Sequence, residues 1–222
     1  MRARDNPFTI ERIHSLGYRF PPGAGWELLL ARLDAQNRRG ALVGGEGRGK
    51  STLLTELGER LAARGHDVRR LTLRRGQRRL PPRQGSAFLT DLGPRVALLL
   101  DGAEQLSWWR WRRLRSRTLA AGAFVVTSHR QGLLPTLLAC DTSARTLREI
   151  LDALAPRRDP GFPSAEELHA RYCGDVRQAL FEAYDRGSAA GSAPDRRRNP
   201  APSQALANSR AAAAGTSHGA RA

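Results

Sequence analysis

Apolar residues recur along this chain in two alternating rhythms. Trp26, Leu29, Leu30 and Leu33 share one helical face between Gly25 and Gln36, and Asn37-Arg38-Arg39-Gly40 stops that run. Arg39–Val43 is short and apolar and predicts a strand. Helical spacing returns from about Lys50 to Arg64, with Leu53, Leu54, Leu57 and Leu61 inward and Gly65 as the stop. Asp67–Leu73 predicts a second strand. Arg74–Arg83, basic and broken by Pro81-Pro82, predicts a loop, and Gln84–Leu92 a short helix. Val96–Asp101 and Ala123–Ser128 are unbroken apolar runs, as expected of strands covered on both faces in a parallel sheet. A helix is expected between them, from about Ala103 to Ala121. Leu137–Cys140 predicts a fifth, short strand and Thr142–Leu154 a further helix.

The two ends differ from this middle. Residues 1–24 form a lead-in that carries Phe8, Ile10, Ile13, Leu16, Tyr18 and Phe20. Residues 25–156 hold the alternating strands and helices, a pattern that demands a parallel sheet with helices on both faces. Asp159-Pro160-Gly161-Phe162-Pro163 breaks the chain. Ser164 then begins a capping box with Glu167, and helical material bent near Gly174 runs to about Arg186, giving a segment 157–186. Residues 187–222 are Ala, Gly, Ser, Pro and Arg with almost no large apolar side chain. Such a segment cannot bury enough surface to order itself, and a disordered tail is expected.

Composition narrows the classes. A chain of 222 residues that is 40% hydrophobic can build the core of one α/β domain. Its formal net charge of +16 invites a nucleic-acid or membrane-surface partner, although abundant Arg and Ala and a basic tail also account for part of the excess. Cys140 and Cys173 are far apart, the histidines are scattered, and neither a disulfide framework nor a zinc site is expected. The N-terminus lacks the apolar core of a signal peptide and no run reaches transmembrane length, so a cytoplasmic location is the expectation.

The candidate chemistry begins at Gly44-Gly45-Glu46-Gly47-Arg48-Gly49-Lys50-Ser51-Thr52, between a strand end and a helix start. Gly-x-x-x-x-Gly-Lys-Ser in that context is a phosphate-binding loop, or Walker A motif. Its glycines allow a tight turn that brings backbone N–H groups around an anion, and the following helix adds its positive end. Lys50 is placed for the β- and γ-phosphates of ATP, and the Ser51 hydroxyl for Mg²⁺. Lys50 is also the only lysine among the 37 basic residues, as expected where a compact ammonium must fit between phosphates. Asp101 ends the buried strand Val96–Asp101 and fits Walker B, holding Mg²⁺ opposite Ser51; the alternative is a helix cap. The segment between the two motifs contains a strand of its own. Thr127 or Ser128, at the tip of the next strand, is placed to touch a γ-phosphate or orient a water.

Gly174-Asp175-Val176-Arg177-Gln178-Ala179-Leu180 completes the set. Together these motifs resemble the AAA+ and related STAND-type ATPases, the additional-strand class of P-loop proteins, over roughly residues 8–186. The resemblance implies an α/β fold: a three-layer P-loop NTPase with a parallel sheet and a short C-terminal helical lid. It implies ATP and Mg²⁺ as ligands and Arg177 as the sensor arginine that reaches from the lid. It also implies that the lead-in around Ile13, Leu16, Gly17 and Tyr18 packs near the base. Two departures weaken hydrolysis relative to binding. Asp101 is followed by Gly102 rather than Glu, the nearest carboxylate being Glu104, and the lid is short. An arginine finger is not assignable among Arg130 and Arg110–Arg117. The expected function is ATP binding with ATPase or nucleotide-dependent switch activity, and a protein partner is expected. The alternatives are a small-molecule or nucleoside kinase and a basic nucleic-acid-binding module. The last rests on the net charge and on Trp108-Trp109-Arg110-Trp111-Arg112-Arg113-Leu114-Arg115-Ser116-Arg117, which stacks on bases, lies on a membrane surface, or packs its tryptophans inward beneath a solvated arginine face.

Overall fold

The computed structural model of the chain describes residues 6–190. Five strands, β1 (Arg39–Val43), β2 (Asp67–Thr72), β3 (Val96–Asp101), β4 (Ala123–Ser128) and β5 (Thr136–Ala139), form one sheet in the order β2-β3-β4-β1-β5. Every pairing is parallel. The expected α/β class with a parallel sheet is therefore present. β4 lies between β1 and β3, so the strand before the glycine loop and the strand that ends in Asp101 are separated by one strand.

The unbroken apolar runs follow from burial on both faces. Leu42, Ala97, Leu99, Ala123 and Val125 point to one side, where α2 (Trp26–Ala35) and α3 (Lys50–Ala63) cover them. Ala41, Leu98, Leu100, Phe124 and Val126 point to the other, beneath α4 (Pro82–Leu89) and α5 (Trp108–Arg117). At ~25 cal/mol per Å² of apolar area, each fully buried leucine contributes about 2 kcal/mol. A third cluster joins α6 (Ala144–Leu154), α7 (Ala165–Arg171) and α8 (Val176–Ala190), with Phe8, Ile13 and Leu16 from around α1 (Ile10–Ser15) packed into it.

Helix ends follow local chemistry. α3 stops in a Schellman turn, in which the His66 N–H donates to the Leu61 carbonyl and Gly65 N–H to Ala62. Ser164 and Glu167 form the expected capping box at the start of α7. α4 begins at Pro82, two residues before the expected start. Proline at the first helical position loses no hydrogen bond, because that N–H has no partner there anyway.

Three expectations are corrected. The helix expected over 103–121 is a 3-10 turn (Ala103–Gln105), then α5, then a second 3-10 turn (Thr118–Ala120). The break occurs because Leu106 leaves helical backbone to bury itself in the sheet's core, and α5 restarts at Ser107. The helix expected over 84–92 ends at Leu89, where Thr90 is extended. α8 runs through Ala190 rather than stopping near 186, and the rest of the expected disordered tail, 191–222, lies outside the described residues. No helix among the described residues is long and apolar enough to cross a membrane.

Candidate functional site

β1 delivers the glycine loop at the carboxyl edge of the sheet. Gly44 N–H donates to the Ser128 carbonyl at 3.1 Å, which ties the loop to β4. Three other segments close on the same loop, and its glycines make room for them. A Cβ at Gly44 would lie 2.2 Å from the Cys140 carbonyl oxygen beyond β5. At Gly47, with φ at +65°, it would lie 1.7 Å from Asp175 Oδ1. At Gly49, with φ at +75°, it would lie 3.0 Å from the Tyr18 ring. Gly49 is also the N-cap of α3 and brings no capping side chain. The first-turn N–H groups of α3 thus have no side-chain cap, and Gly45 and Glu46 are exposed at the loop's tip.

Lys50 opens α3 from inside the loop. It is 8% exposed and donates from Nζ to the Gly45 carbonyl. Burial lowers its pKa below the ordinary lysine value, and the charges of Cys140, Glu104, Asp101 and Glu46 oppose that shift. Ser51 and Thr52 follow it, both half-buried.

Asp101, at the end of β3, is held from two sides. Its Oδ1 accepts from Thr127 Oγ1 at 2.6 Å, and Thr127 Oγ1 accepts from Gly102 N–H at 2.8 Å. Thr127 is 1% exposed, so its hydroxyl is committed to Asp101 and the turn after it. Ser128 is committed as well, donating to the Arg130 carbonyl at 2.7 Å. On the other side, Arg70 Nη2 stands 3.6 Å from Asp101 Oδ2. The same guanidinium donates to Thr55 Oγ1 and to the Ser51 carbonyl, at 3.4 Å.

Glu104 lies in the 3-10 turn just past Asp101, with Oε1 at 3.7 Å from His129 Nε2 and accepting from Gln105 at 3.3 Å. Its Oε2 is buried without a hydrogen-bond partner among the described residues. A carboxylate oxygen so placed has unmet accepting capacity, which suits a water or a metal-bound water.

The corner between α7 and α8 reaches the loop through residues other than the expected one. Arg48 ion-pairs with Asp141 and donates to the Cys173 carbonyl at 3.1 Å. Asp175 packs against Gly47 and caps α8 by accepting from Gln178 N–H at 3.1 Å. Arg177 lies two residues further on, exposed, with no hydrogen bond or ion pair among the described residues. The lead-in closes the other flank. Tyr18 N–H donates to Glu56 Oε1, and its ring, Phe20 and Trp26 make successive edge-on contacts at 5.1 and 5.2 Å, with Arg60 over Trp26. The Tyr18 hydroxyl is buried beside the Cys140 thiol without an oxygen or nitrogen partner. Burial raises both pKa values, and the thiol raises the tyrosine's further.

Of the residues expected from sequence, the loop 44–52, Asp101, Glu104 and Thr127 are therefore gathered at one edge of the sheet. Arg70, Asp141 and Asp175 join them; Asp175 belongs to the Gly174–Leu180 motif, in which Arg177 was the residue expected to reach the site. An arginine in a strand was the sole visible sign of Arg70. The residues fit a magnesium nucleotide. The Ser51 hydroxyl and Asp101 carboxylate are oxygen donors suited to Mg²⁺, the charges of Asp101 and Glu104 act on Lys50, and Glu104 Oε2 is buried without a hydrogen-bond partner among the described residues. A separate cleft of about 520 Å³, lined by Asp34, Arg38, Arg64, His66 and Arg95, contains no residue of the loop.

No protein-family model matches the chain, and no curated protein does either. Among solved structures it is similar to Thermotoga maritima RuvB. A threonine-to-valine variant aligns at TM-score 0.48 and 20% identity, covering 72% of this chain and 60% of that one. The RuvB Holliday junction branch migration motor of the same organism aligns at TM-score 0.46 and 19% identity, covering 72% of this chain and 60% of that one. A lysine-to-arginine mutant of RuvB aligns at 0.46 and 19%, covering 72% and 61%. The aligned part thus spans about three fifths of those chains.

Proposed function

We propose that the chain binds MgATP at the glycine loop and acts as an AAA+-like nucleotide switch with weak ATPase activity, read out by the α6–α8 segment. The observation that carries this reading is the meeting of Lys50 with Asp101 at one sheet edge, with Thr127 from the strand between them bonded to that carboxylate. In this reading the α3 N-terminus and loop N–H groups hold the phosphates, and Lys50 turns its ammonium from the Gly45 carbonyl to the β- and γ-oxygens. Ser51 and Asp101 hold the magnesium, whose charge offsets that of the β- and γ-phosphates when bound. Thr127 is a positioning residue that fixes the Asp101 rotamer. Glu104 is the candidate base, because its free Oε2 can accept a proton from water.

The readout would run through Arg48 and Asp175. Both sit where the loop meets the α7–α8 corner, so a change in the loop's shape moves that corner directly. Arg177, exposed two residues beyond Asp175, would swing onto the phosphates when the corner closes. Titration with ATP in magnesium and in EDTA tests the reading. Saturable binding that needs magnesium and is lost in Lys50→Ala is expected. Equal binding by the variant would end it.

A further inference from the structure

The loop 74–83 and α5 form one continuous face. Arg110 donates to the Arg78 carbonyl at 3.2 Å, Gly76 N–H donates to Gln105 Oε1 at 3.2 Å, and Leu80 joins Arg110, Arg113 and Arg117 around a shallow groove of about 140 Å³. The loop and the start of α4 contribute Arg74, Arg75, Arg78, Arg79 and Arg83, all exposed. The helix contributes Arg110, Arg112, Arg113, Arg115 and Arg117, also exposed, and carries no carboxylate. None of these arginines is in an ion pair among the described residues. Elsewhere the pairing is common, as in Arg48, Arg69, Arg148, Arg158 and Arg171. Among the described residues, no carboxylate neutralises the positive charge of this face.

The tryptophans of α5 divide between core and solvent. Trp111 is 5% exposed and stacks on Phe124 at 6.0 Å, as a core residue should. Trp108 and Trp109 are 55% and 76% exposed and meet edge-on at 4.5 Å. Arg112 lies 4.8 Å over the Trp108 ring. Trp109 occupies the pole of the helix opposite the buried stripe of Trp111 and Leu114. Its neighbours three, four and seven residues on are Arg112, Arg113 and Ser116. That spacing leaves no apolar stripe for a membrane to receive. It sets an open ring among guanidinium groups, the arrangement that stacks an unpaired base while its phosphates are neutralised.

We infer that this face is a docking surface for single-stranded DNA. Duplex DNA would hide the base faces from Trp108 and Trp109. The face offers guanidinium groups and open rings, which engage phosphates and base faces and need no 2′-hydroxyl, so single-stranded DNA meets all of its contacts. The inference is independent of the nucleotide reading, because none of its residues belongs to the loop site.

Fluorescence anisotropy of the full chain with a labelled oligo-dT of about 16 nucleotides tests it, across a range of salt concentrations. Trp109→Ala is expected to weaken binding roughly ten-fold. Arg112→Ala combined with Arg113→Ala is expected to reduce the slope of log K against log salt by about 1.4, about 0.7 for each lost phosphate contact. All three side chains are exposed, and a circular dichroism spectrum matching the parent's would exclude misfolding as the cause. The inference is overturned if Trp109→Ala leaves affinity unchanged, or if removal of residues 191–222 alone abolishes binding. It is equally overturned if duplex DNA, RNA, an acidic peptide or anionic vesicles bind more tightly than oligo-dT.

Discussion

Lys50 is the only lysine of the chain, it is buried, and its ammonium donates to a carbonyl of its own loop. Asp101 accepts from Thr127 on one oxygen and faces the Arg70 guanidinium at 3.6 Å with the other. This engagement makes distinct predictions. Thr127→Val removes the donor to Asp101 and the acceptor for Gly102 N–H, and should cost about 1–3 kcal/mol in urea denaturation while lowering any ATP turnover. Arg70→Ala removes the cation facing Asp101, so the magnesium concentration for half-maximal nucleotide binding should fall, by about three-fold or more; a rise would assign Arg70 to the phosphates instead. Asp101→Asn should lower turnover more than Glu104→Gln does, and the reverse order would make Glu104 the dominant catalytic group. At this scale the sequence was legible where residues are contiguous. Residues 44–52 carry their own spacing, and an acid after an apolar run marks Asp101. Arg70 and Asp141 were not legible, because each reaches the site across the fold: Asp141 and Arg48 are far apart in sequence, and only the parallel sheet brings β5's exit beside the loop; in the Gly174–Leu180 motif it is Asp175, not the expected Arg177, that meets the loop.

The elements show why periodicity predicted the strands better than the helices. A strand buried on both faces must be apolar throughout, so its ends are sharp, and β1, β3 and β4 coincide with their expected bounds. The stretch 103–121 has helical spacing but is broken where Leu106 turns inward, a tertiary demand that overrides local preference. In α5, Trp111→Ala should destabilise the fold by about 3–5 kcal/mol, whereas Trp109→Ala should stay within about 0.5 kcal/mol, as read by denaturant titration. The α7–α8 pair is fastened by Glu182, which accepts from Arg171, Tyr172 and Arg186 at 2.6 to 2.8 Å. Desolvation would raise its pKa, but those three partners outweigh it and hold the carboxyl at about 2, below the ordinary 4.5. The stabilisation is therefore complete above about pH 4.5 and is lost as pH falls toward about 2. Glu182→Gln should melt at a lower temperature at neutral pH and lose part of the parent's pH dependence within that window.

The whole molecule brings three segments distant in sequence onto one loop: the lead-in through Tyr18, the exit of β5 through Cys140 and Asp141, and the α7–α8 corner through Asp175. Gly47 is the point of closest approach. Gly47→Ala would force Asp175 aside and strain a left-handed backbone, and should weaken nucleotide binding about ten-fold while leaving the sheet's cooperative unfolding in place. The central claim, that this convergence forms a magnesium-nucleotide site, is tested most directly by isothermal titration of the full chain with ATP. Saturable binding in magnesium, weakened in EDTA and abolished by Lys50→Ala with an unchanged melting curve, is the predicted result. Absence of binding by the parent chain, or equal affinity in Lys50→Ala, would contradict it.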